Sequence, residues 1–237
     1  MSAAGLQIEH AHRDVTGGWL RPAVFGAMDG LVSNFALIAG VAGGTAGRGS
    51  EAVVLAGLAG LAAGAFSMAA GEYTSVASQS ELAAAEIEIE RRELLRAPQA
   101  EQEELAQMYV GRGVDVETAR EVARQLSRDP DRALEVHTRE ELGIDPDDLP
   151  SPVVAAGSSF ASFAVGAFLP LVPYLLGATT LWPALIVALL GLFACGALVS
   201  RVTARSWLFS GLRQLVLGGA AAALTYGFGS LVGAGLA

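Results

Sequence analysis

The sequence has 237 residues, of which 52% are hydrophobic and 16% are charged. A soluble domain usually has about 25% charged residues, so this composition excludes a simple water-soluble globule and also a disordered chain. The single cysteine, Cys195, excludes an intrachain disulfide and a cysteine-based metal centre.

Charge divides the chain into two zones. Residues 75–150 contain 19 acidic residues and nine arginines, whereas the rest of the chain contains five acidic residues and six arginines. We therefore expect an acidic soluble insert within an almost uncharged membrane body. The expected domains are an N-terminal segment 1–21, membrane helices over 22–74, the insert over 75–150 and membrane helices over 151–237.

Long apolar stretches predict five membrane-spanning helices, because a span needs about 20 predominantly apolar residues. The first two are 22–47, in which Asp29 is the only charged residue, and 52–71. The third and fourth share the uncharged run 149–200, which the turn-forming segment 177–183 divides. The fifth is the uncharged stretch at the C-terminal end.

The insert is predicted to be helical. Breaks at Gly and Pro, with N-cap candidates at Asp115 and Asp129, divide it into four helices. The first of them contains no Gly or Pro and can continue the second span without interruption. Their expected ranges are 76–96, 98–111, 116–127 and 130–143. Because no β-period is found, we predict an all-α membrane protein with five transmembrane helices and a cytoplasmic helical insert between helices 2 and 3.

Arginines in short loops indicate which ends of the spans face the cytoplasm. Arg201, Arg205 and Arg213 lie between the fourth and fifth spans, and Arg13 and Arg21 flank the first. We therefore expect the N-terminus, the insert and the arginine loop to be cytoplasmic, and the C-terminus to lie outside.

Three residues of the first two spans are candidate ligands for a translocated ion. Asp29 is an ionisable group at membrane depth, which usually faces an interior path; the alternative is a position near the membrane surface. Met68 and Glu72 lie at i and i+4 on one helical face. A thioether with a carboxylate suits a transition metal better than Ca²⁺ or Mg²⁺. Core packing of Met68 and an interfacial position of Glu72 are the alternatives.

Acidic residues at helical spacing form a candidate metal site in the insert. The candidates are Glu86, Glu90 and Glu93 on one helix, Glu101, Glu104 and Met108 on the next, and His137 with Glu141 on the last. Clustered carboxylates repel one another unless a cation lies between them, as in helical iron and manganese proteins. The alternative is a solvated acidic face that pairs with Arg91, Arg92 and Arg96.

The sequence resembles the vacuolar iron transporter family, which includes bacterial and nodulin-like members. The matching segments are RPAVFGAMDGLVSNFALIAGVAG in the first span, GLAGLAAGAFSMAAGEYTSVASQSE through the second and PSPVVAAGSSFASFAVGAFLPLVPYLL in the third. The resemblance implies a homodimer of five-helix protomers with a cytoplasmic metal-binding domain. It also implies export of Fe²⁺, and sometimes Mn²⁺ or other divalent ions, from the cytosol in exchange for protons.

The resemblance also implies roles for individual residues. Asp29 and Met68 become ligands of the translocation path near the dimer axis. Two Glu-x-x-Glu pairs of the family fall on Glu90 with Glu93 and on Glu101 with Glu104. The third element of the family, two adjacent Met followed by a Glu, falls on His137, Thr138 and Glu141.

This sequence departs from the family pattern at three places. Imidazole replaces a thioether at His137, which changes the expected metal preference. Pro22 stands where some members have an acid, and Gly60 stands where some have a Glu. Fewer path carboxylates imply altered proton coupling.

We therefore expect a proton-coupled divalent metal transporter, not an enzyme, in the cytoplasmic (inner) membrane of a bacterium. The expected ion is Fe²⁺, with Mn²⁺ or Zn²⁺ as further candidates; the expected partners are a second copy, the bilayer, metal ions and protons, and no nucleic acid. A non-transporting metal sensor and a membrane-anchored di-iron oxidase are the alternatives. The oxidase needs Glu-x-x-His motifs, and Leu134 stands three residues before His137.

Overall fold

The computed structural model describes residues 18–45, 49–201 and 205–236. Most of these residues are helical, and no strand occurs among them. Residues 1–17 of the predicted N-terminal segment, which include Arg13, lie outside the described residues. The chain divides into two compact units: a bundle unit, Met1–Ala69 with Val154–Ala237, and an insert unit, Ala70–Val153.

The helices follow the predicted order along the chain. They are α1 (Leu20–Gly44), α2 (Ser50–Arg96), α3 (Pro98–Gly111), α4 (Val116–Leu126), α5 (Pro130–His137), α6 (Pro152–Phe168), α7 (Val172–Leu175), α8 (Leu181–Val199) and α9 (Trp207–Leu236). Within the described ranges, α1, α2, α6 with α7, α8 and α9 are long and apolar enough to cross a bilayer. The prediction of five spans is therefore confirmed.

Prolines shape the third and fourth spans. Pro170 lies in a 3₁₀ turn, Leu169–Leu171, that separates α6 from α7, because proline lacks the N–H that a continuous helix requires. The connection to α8 is shorter than the predicted segment 177–183. Pro183 lies in the first turn of α8, where a missing N–H costs no helical hydrogen bond.

Glycines bring α1 close to the helices on either side of it. A Cβ on Gly229 or Gly233 of α9 would overlap the carbonyl groups of Gly40 and Gly44 of α1. A Cβ on Gly26 would lie 2.7 Å from the carbonyl oxygen of Ser159 in α6. Small residues therefore let backbones touch in this bundle, as is usual for helices that associate in lipid.

The insert unit begins with the second part of α2, which runs without a break for 47 residues. The expected continuation of the second span is thus observed. Asp115 and Asp129 are the N-caps of α4 and α5, and each carboxylate accepts hydrogen bonds from two backbone N–H groups. Both predicted caps are confirmed.

The last predicted helix of the insert ends differently from a regular α-helix. After α5 the chain forms a single π-helical turn, Thr138–Leu142, and Gly143 ends it in the left-handed conformation with φ of 67°. The backbone N–H of Ile144 donates to the carbonyl oxygen of Thr138 over 3.0 Å. This turn carries Glu141, and α5 ends on His137.

Candidate functional site

Three buried side chains from three helices of the insert unit meet at one point. Glu90 of α2 is 3% exposed, Glu101 of α3 is 9% exposed and His137 of α5 is fully buried. One ligand atom from each lies within 4.8 Å of the other two. Ligand bonds of about 2.1 Å place two donors of one ion at most about 4.2 Å apart. A small contraction therefore suffices for all three to bind one divalent ion.

Polar atoms in this group lack hydrogen-bond partners within the described structure. They are Oε1 of Glu90 and both ring nitrogens of His137. Nδ1 of His137 and Oε1 of Glu90 lie 3.0 Å apart, but the two groups are not oriented for a hydrogen bond. A buried polar group without a partner costs about 1–3 kcal/mol. Coordination of a cation would remove that cost for both side chains.

Three exposed carboxylates surround the buried group. Burial, which is the largest cause, and the charges of Glu141, Glu101 and Glu93 together raise the pKa of Glu90 to about 7. Burial also raises the pKa of Glu101, with Glu104 as the strongest neighbouring charge. We call the six residues the carboxylate cluster: Glu90, Glu93, Glu101, Glu104, His137 and Glu141.

Burial favours the neutral form of the imidazole in the cluster. Burial lowers the pKa of His137, and the nearby carboxylate of Glu104 only partly opposes this effect. A neutral imidazole has a free nitrogen lone pair, which is the form that binds a metal. In the metal-free protein, the cluster therefore combines an available nitrogen donor with the carboxyl group of Glu90, whose pKa lies near neutral pH.

Six arginines of the insert unit pair with acids outside the cluster. Arg91 and Arg92 approach Glu88, at 3.6 and 4.0 Å, and Arg120 binds Glu103 with its Nη2 3.0 Å from Oε1. Within the described residues, no arginine forms an ion pair with a carboxylate of the cluster. The mutual repulsion of these carboxylates is therefore not relieved by arginine, in contrast to the solvated acidic face considered above.

Three other predicted ligands are not part of the buried group of Glu90, Glu101 and His137. Glu86 is half-buried on α2 one turn before Glu90, and it is not among the charges that shift the pKa of Glu90. Met108 is half-buried on α3, one turn beyond Glu104. Glu72 is half-buried on α2 and belongs to the insert unit.

A second site lies in the bundle unit, where a cavity of about 290 Å³ opens between α1, α2 and α6. Its lining residues are Asp29, Ser33, Asn34 and Leu37 of α1, Gly60, Gly64, Ser67 and Met68 of α2, and Phe163 of α6. Asp29 and Met68, the two path ligands predicted from the sequence, thus line the same cavity. Asp29 is exposed in the single chain and Met68 is half-buried.

The local packing explains how the cavity forms. Gly26 and Gly30 seat α1 against α6 on the side next to Asp29. The ring of Phe163 occupies the place that a side chain at Gly64 would take, so α2 can approach the same point. The hydroxyl of Ser33 donates to the backbone oxygen of Asp29 over 2.6 Å, so this hydrogen bond does not engage the carboxylate.

Sequence reasoning did not identify Asn34 or Ser67 as cavity residues. The available signal was a polar amide five residues after Asp29 in an otherwise apolar span. Helical periodicity alone could not show that Asn34 faces α2, since that depends on how α1 packs against its neighbours.

Comparison with known proteins adds an independent finding. Residues 20–230 match the sequence pattern of the VIT family. The chain is 42% identical over 224 residues to a vacuolar iron transporter of Acanthamoeba castellanii, covering 91% of this chain and 79% of the relative. It is 37% identical over 220 residues to vacuolar iron transporter homolog 1 of Oryza sativa subsp. japonica, covering 91% and 74%. It is 29% identical over 221 residues to vacuolar iron transporter 1 of Arabidopsis thaliana, covering 92% and 88%.

Proposed function

Since this chain belongs to the VIT family, we propose that it transports divalent metal ions, with Fe²⁺ as its main cargo. The observation that carries this proposal is the lining of one cavity by Asp29 and Met68 within a bundle of apolar helices. A carboxylate in a membrane span is costly, and the carboxylates found there usually belong to an ion or proton path. The names of the relatives, which specify iron transport, support Fe²⁺ as the cargo.

The donor atoms support a transition metal as the cargo class. A carboxylate with a thioether is a mixed hard and soft ligand set, which suits Fe²⁺ better than Mg²⁺ or Ca²⁺. In the carboxylate cluster, the imidazole of His137 also suits Zn²⁺, while the surrounding oxygens suit Mn²⁺. We therefore include Zn²⁺ and Mn²⁺ as competing ions.

We assign the carboxylate cluster the task of capturing and buffering metal before transport. The acidic excess of residues 75–150 raises the local concentration of cations. Coordination would satisfy the unpaired atoms of Glu90 and His137. A sensor without transport would use the same cluster, and the flux experiment below separates the two functions.

Proton exchange follows from the chemistry of these ligands. A carboxylate binds metal only after it loses its proton, so uptake of each ion releases protons from the site. The pKa of about 7 for Glu90 supports such an exchange near neutral pH. We propose that Asp29 couples transport to protons in the same way, with metal leaving the cytosol as protons enter.

The orientation that we propose places the insert unit and the loop with Arg201, Arg205 and Arg213 in the cytoplasm, and the C-terminus outside. The membrane that we propose is the cytoplasmic membrane of a bacterium. All 15 basic residues are arginine and none is lysine, which agrees with a bacterial genome rich in G and C.

We propose that the transporter is a homodimer. Asp29 and Ser33 are exposed in the single chain, and exposure of a carboxylate to lipid is costly. A second copy placed against this face would cover both residues and bring two Asp29 carboxylates to one path. Pro22 and Gly60 stand where some family members have acids, so Asp29 of each copy supplies the carboxylate of this cavity.

The test is uptake of Fe²⁺ by proteoliposomes under anaerobic, reducing conditions. We expect uptake above that of protein-free liposomes, and slower uptake by Met68→Leu, which keeps the volume but lacks the sulfur. Met28→Leu is the matched control, because Met28 lies on α1 outside the cavity lining. Metal binding without uptake by the wild-type protein would instead indicate a sensor.

A further inference from the structure

One buried polar atom of the cavity has no partner in the fold. Asn34 is 2% exposed, and no donor reaches its Oδ1 within the described residues. Its Nδ2 donates to the carbonyl oxygen of Ala167 in α6 over 2.6 Å. Because a carbonyl oxygen can only accept, this bond fixes the amide with its nitrogen towards α6. The oxygen must then face the other way.

The unpaired oxygen faces the space left by a glycine. A Cβ on Gly60 of α2 would lie 2.9 Å from Oδ1 of Asn34. Gly60 and Asn34 line the same cavity as Asp29 and Met68. Oδ1 is therefore an unpaired acceptor on a residue of the cavity lining, on the side of Asn34 that faces α2.

The neighbouring hydroxyl on α1 does not satisfy this oxygen. Ser33 Oγ donates to the backbone oxygen of Asp29 over 2.6 Å. An unmade hydrogen bond of a buried acceptor costs about 1–3 kcal/mol, and native proteins usually avoid that cost. A cation ligand accounts for the position, the burial and the fixed orientation of the amide together.

We propose that Asn34 is a third ligand of the transported ion, with its Oδ1 coordinating the metal beside the carboxylate of Asp29 and the thioether of Met68. This inference rests on the proposed transport function. An amide oxygen is a hard, neutral donor, which suits Mn²⁺ and Fe²⁺. It adds a ligand without adding a charge or a titrating proton, so in each protomer only Asp29 exchanges a proton at this cavity.

The test compares the KM and maximal rate of Fe²⁺ uptake by proteoliposomes of the full-length protein. Asn34→Leu keeps a similar volume and removes the oxygen, and we expect its KM to rise at least about tenfold. In Asn34→Asp a protonated carboxyl can still donate to Ala167 and present an oxygen to the cavity, so we expect a KM several-fold below that of Asn34→Leu. Because Asn34→Asp also keeps the bond to Ala167, the variants below separate a ligand role from packing of α1 against α6.

A matched control removes a similar hydrogen bond away from the cavity. Thr225 Oγ1 on α9 donates to the carbonyl oxygen of Ala36 on α1 over 2.8 Å, and Thr225 does not line the cavity. We expect Thr225→Val to keep the wild-type KM within twofold. An equal rise in KM for Thr225→Val and Asn34→Leu would mean that only helix packing was lost, and would overturn the proposal.

A second variant covers the case in which Asn34→Leu does not fold. Gly60→Ala places a methyl group 2.9 Å from Oδ1 of Asn34 and 2.5 Å from Cδ2 of Leu37, so the Leu37 side chain must shift. The variant keeps both groups of the bond between Asn34 and Ala167, and alanine favours the helix. We expect a raised KM here too. Wild-type KM in Asn34→Leu or Gly60→Ala, with normal wild-type uptake, overturns the ligand role alone. Failure of the wild-type protein to transport Fe²⁺ overturns the proposed function itself.

Discussion

At the scale of single residues, we predict that Glu90 sets the pH at which the carboxylate cluster binds metal. Its pKa in the metal-free fold is about 7, compared with 4.5 for an ordinary glutamate. The folded protein thus keeps a proton that the unfolded chain has already lost, and Glu90 contributes stability that disappears as the pH rises through 7. A metal ion must displace this proton before it can bind. Metal affinity should therefore increase as the pH rises from about 6 to about 8.

The prediction is tested by anaerobic Fe²⁺ titration of the detergent-solubilised protein across this pH range. Glu90→Gln should bind Fe²⁺ more weakly and show a shallower pH dependence, because its amide neither titrates nor carries charge. Glu103→Gln is the control, since Glu103 is exposed on α3 and pairs with Arg120. Equal pH slopes in the wild-type protein and Glu90→Gln would show that Glu90 is not the proton that metal displaces.

At the scale of helices, replacing the two aspartate caps in turn separates an effect on helix stability from an effect on metal binding. Asp115 caps α4, which carries no cluster residue, whereas Asp129 caps α5, which ends on His137. Replacing either by Ala should cost about 1 kcal/mol of helix stability. Only Asp129→Ala should also weaken metal binding, because it loosens the helix that positions the imidazole. The check is thermal unfolding of both variants with and without Fe²⁺: similar metal-induced shifts in the two would contradict this account.

Much of the helical architecture could be predicted from the sequence. Uncharged runs located the spans, because charge is costly in lipid, and Pro98, Asp115 and Asp129 marked the helix starts through local backbone chemistry. Helical spacing also indicated that Glu90 and Glu93 share a face. Spacing could not show that Glu90 is buried while Glu86 is only half-buried, because burial depends on where α3 and α5 pack.

Other features depend on contacts between distant segments. The orientation of Asn34 is fixed by the carbonyl group of Ala167, 133 residues further along the chain, and no local pattern encodes that bond. His137 was predicted as a ligand by helical spacing to Glu141 and by resemblance. Its complete burial, and the absence of hydrogen-bond partners among the described residues, are tertiary properties.

For the whole molecule, the charge distribution predicts one topology. We expect the insert unit on the cytoplasmic side and the end of α9 on the opposite side. Single cysteines at Ala100 and Ala234, placed in a Cys195→Ser background, can be labelled with an impermeant thiol reagent in intact cells. Labelling at position 234 and protection at position 100 are expected. The reverse pattern would show that the protein is inverted.

The central claim is that one carboxylate in the membrane bundle links metal movement to proton movement. Asp29 lines the cavity with Met68, while the carboxylate cluster belongs to a separate unit of the chain. Loss of the charge at Asp29 should therefore stop transport and leave metal capture by the cluster intact.

The most direct test records Fe²⁺ entry and lumenal pH together in proteoliposomes that contain the wild-type protein or Asp29→Asn. The amide keeps the shape of the side chain and removes its charge and its proton. We predict coupled Fe²⁺ and proton fluxes for the wild-type protein, and neither flux for Asp29→Asn, although the purified variant still binds Fe²⁺. Wild-type rates in Asp29→Asn, or Fe²⁺ entry with no proton counterflow, would contradict the account.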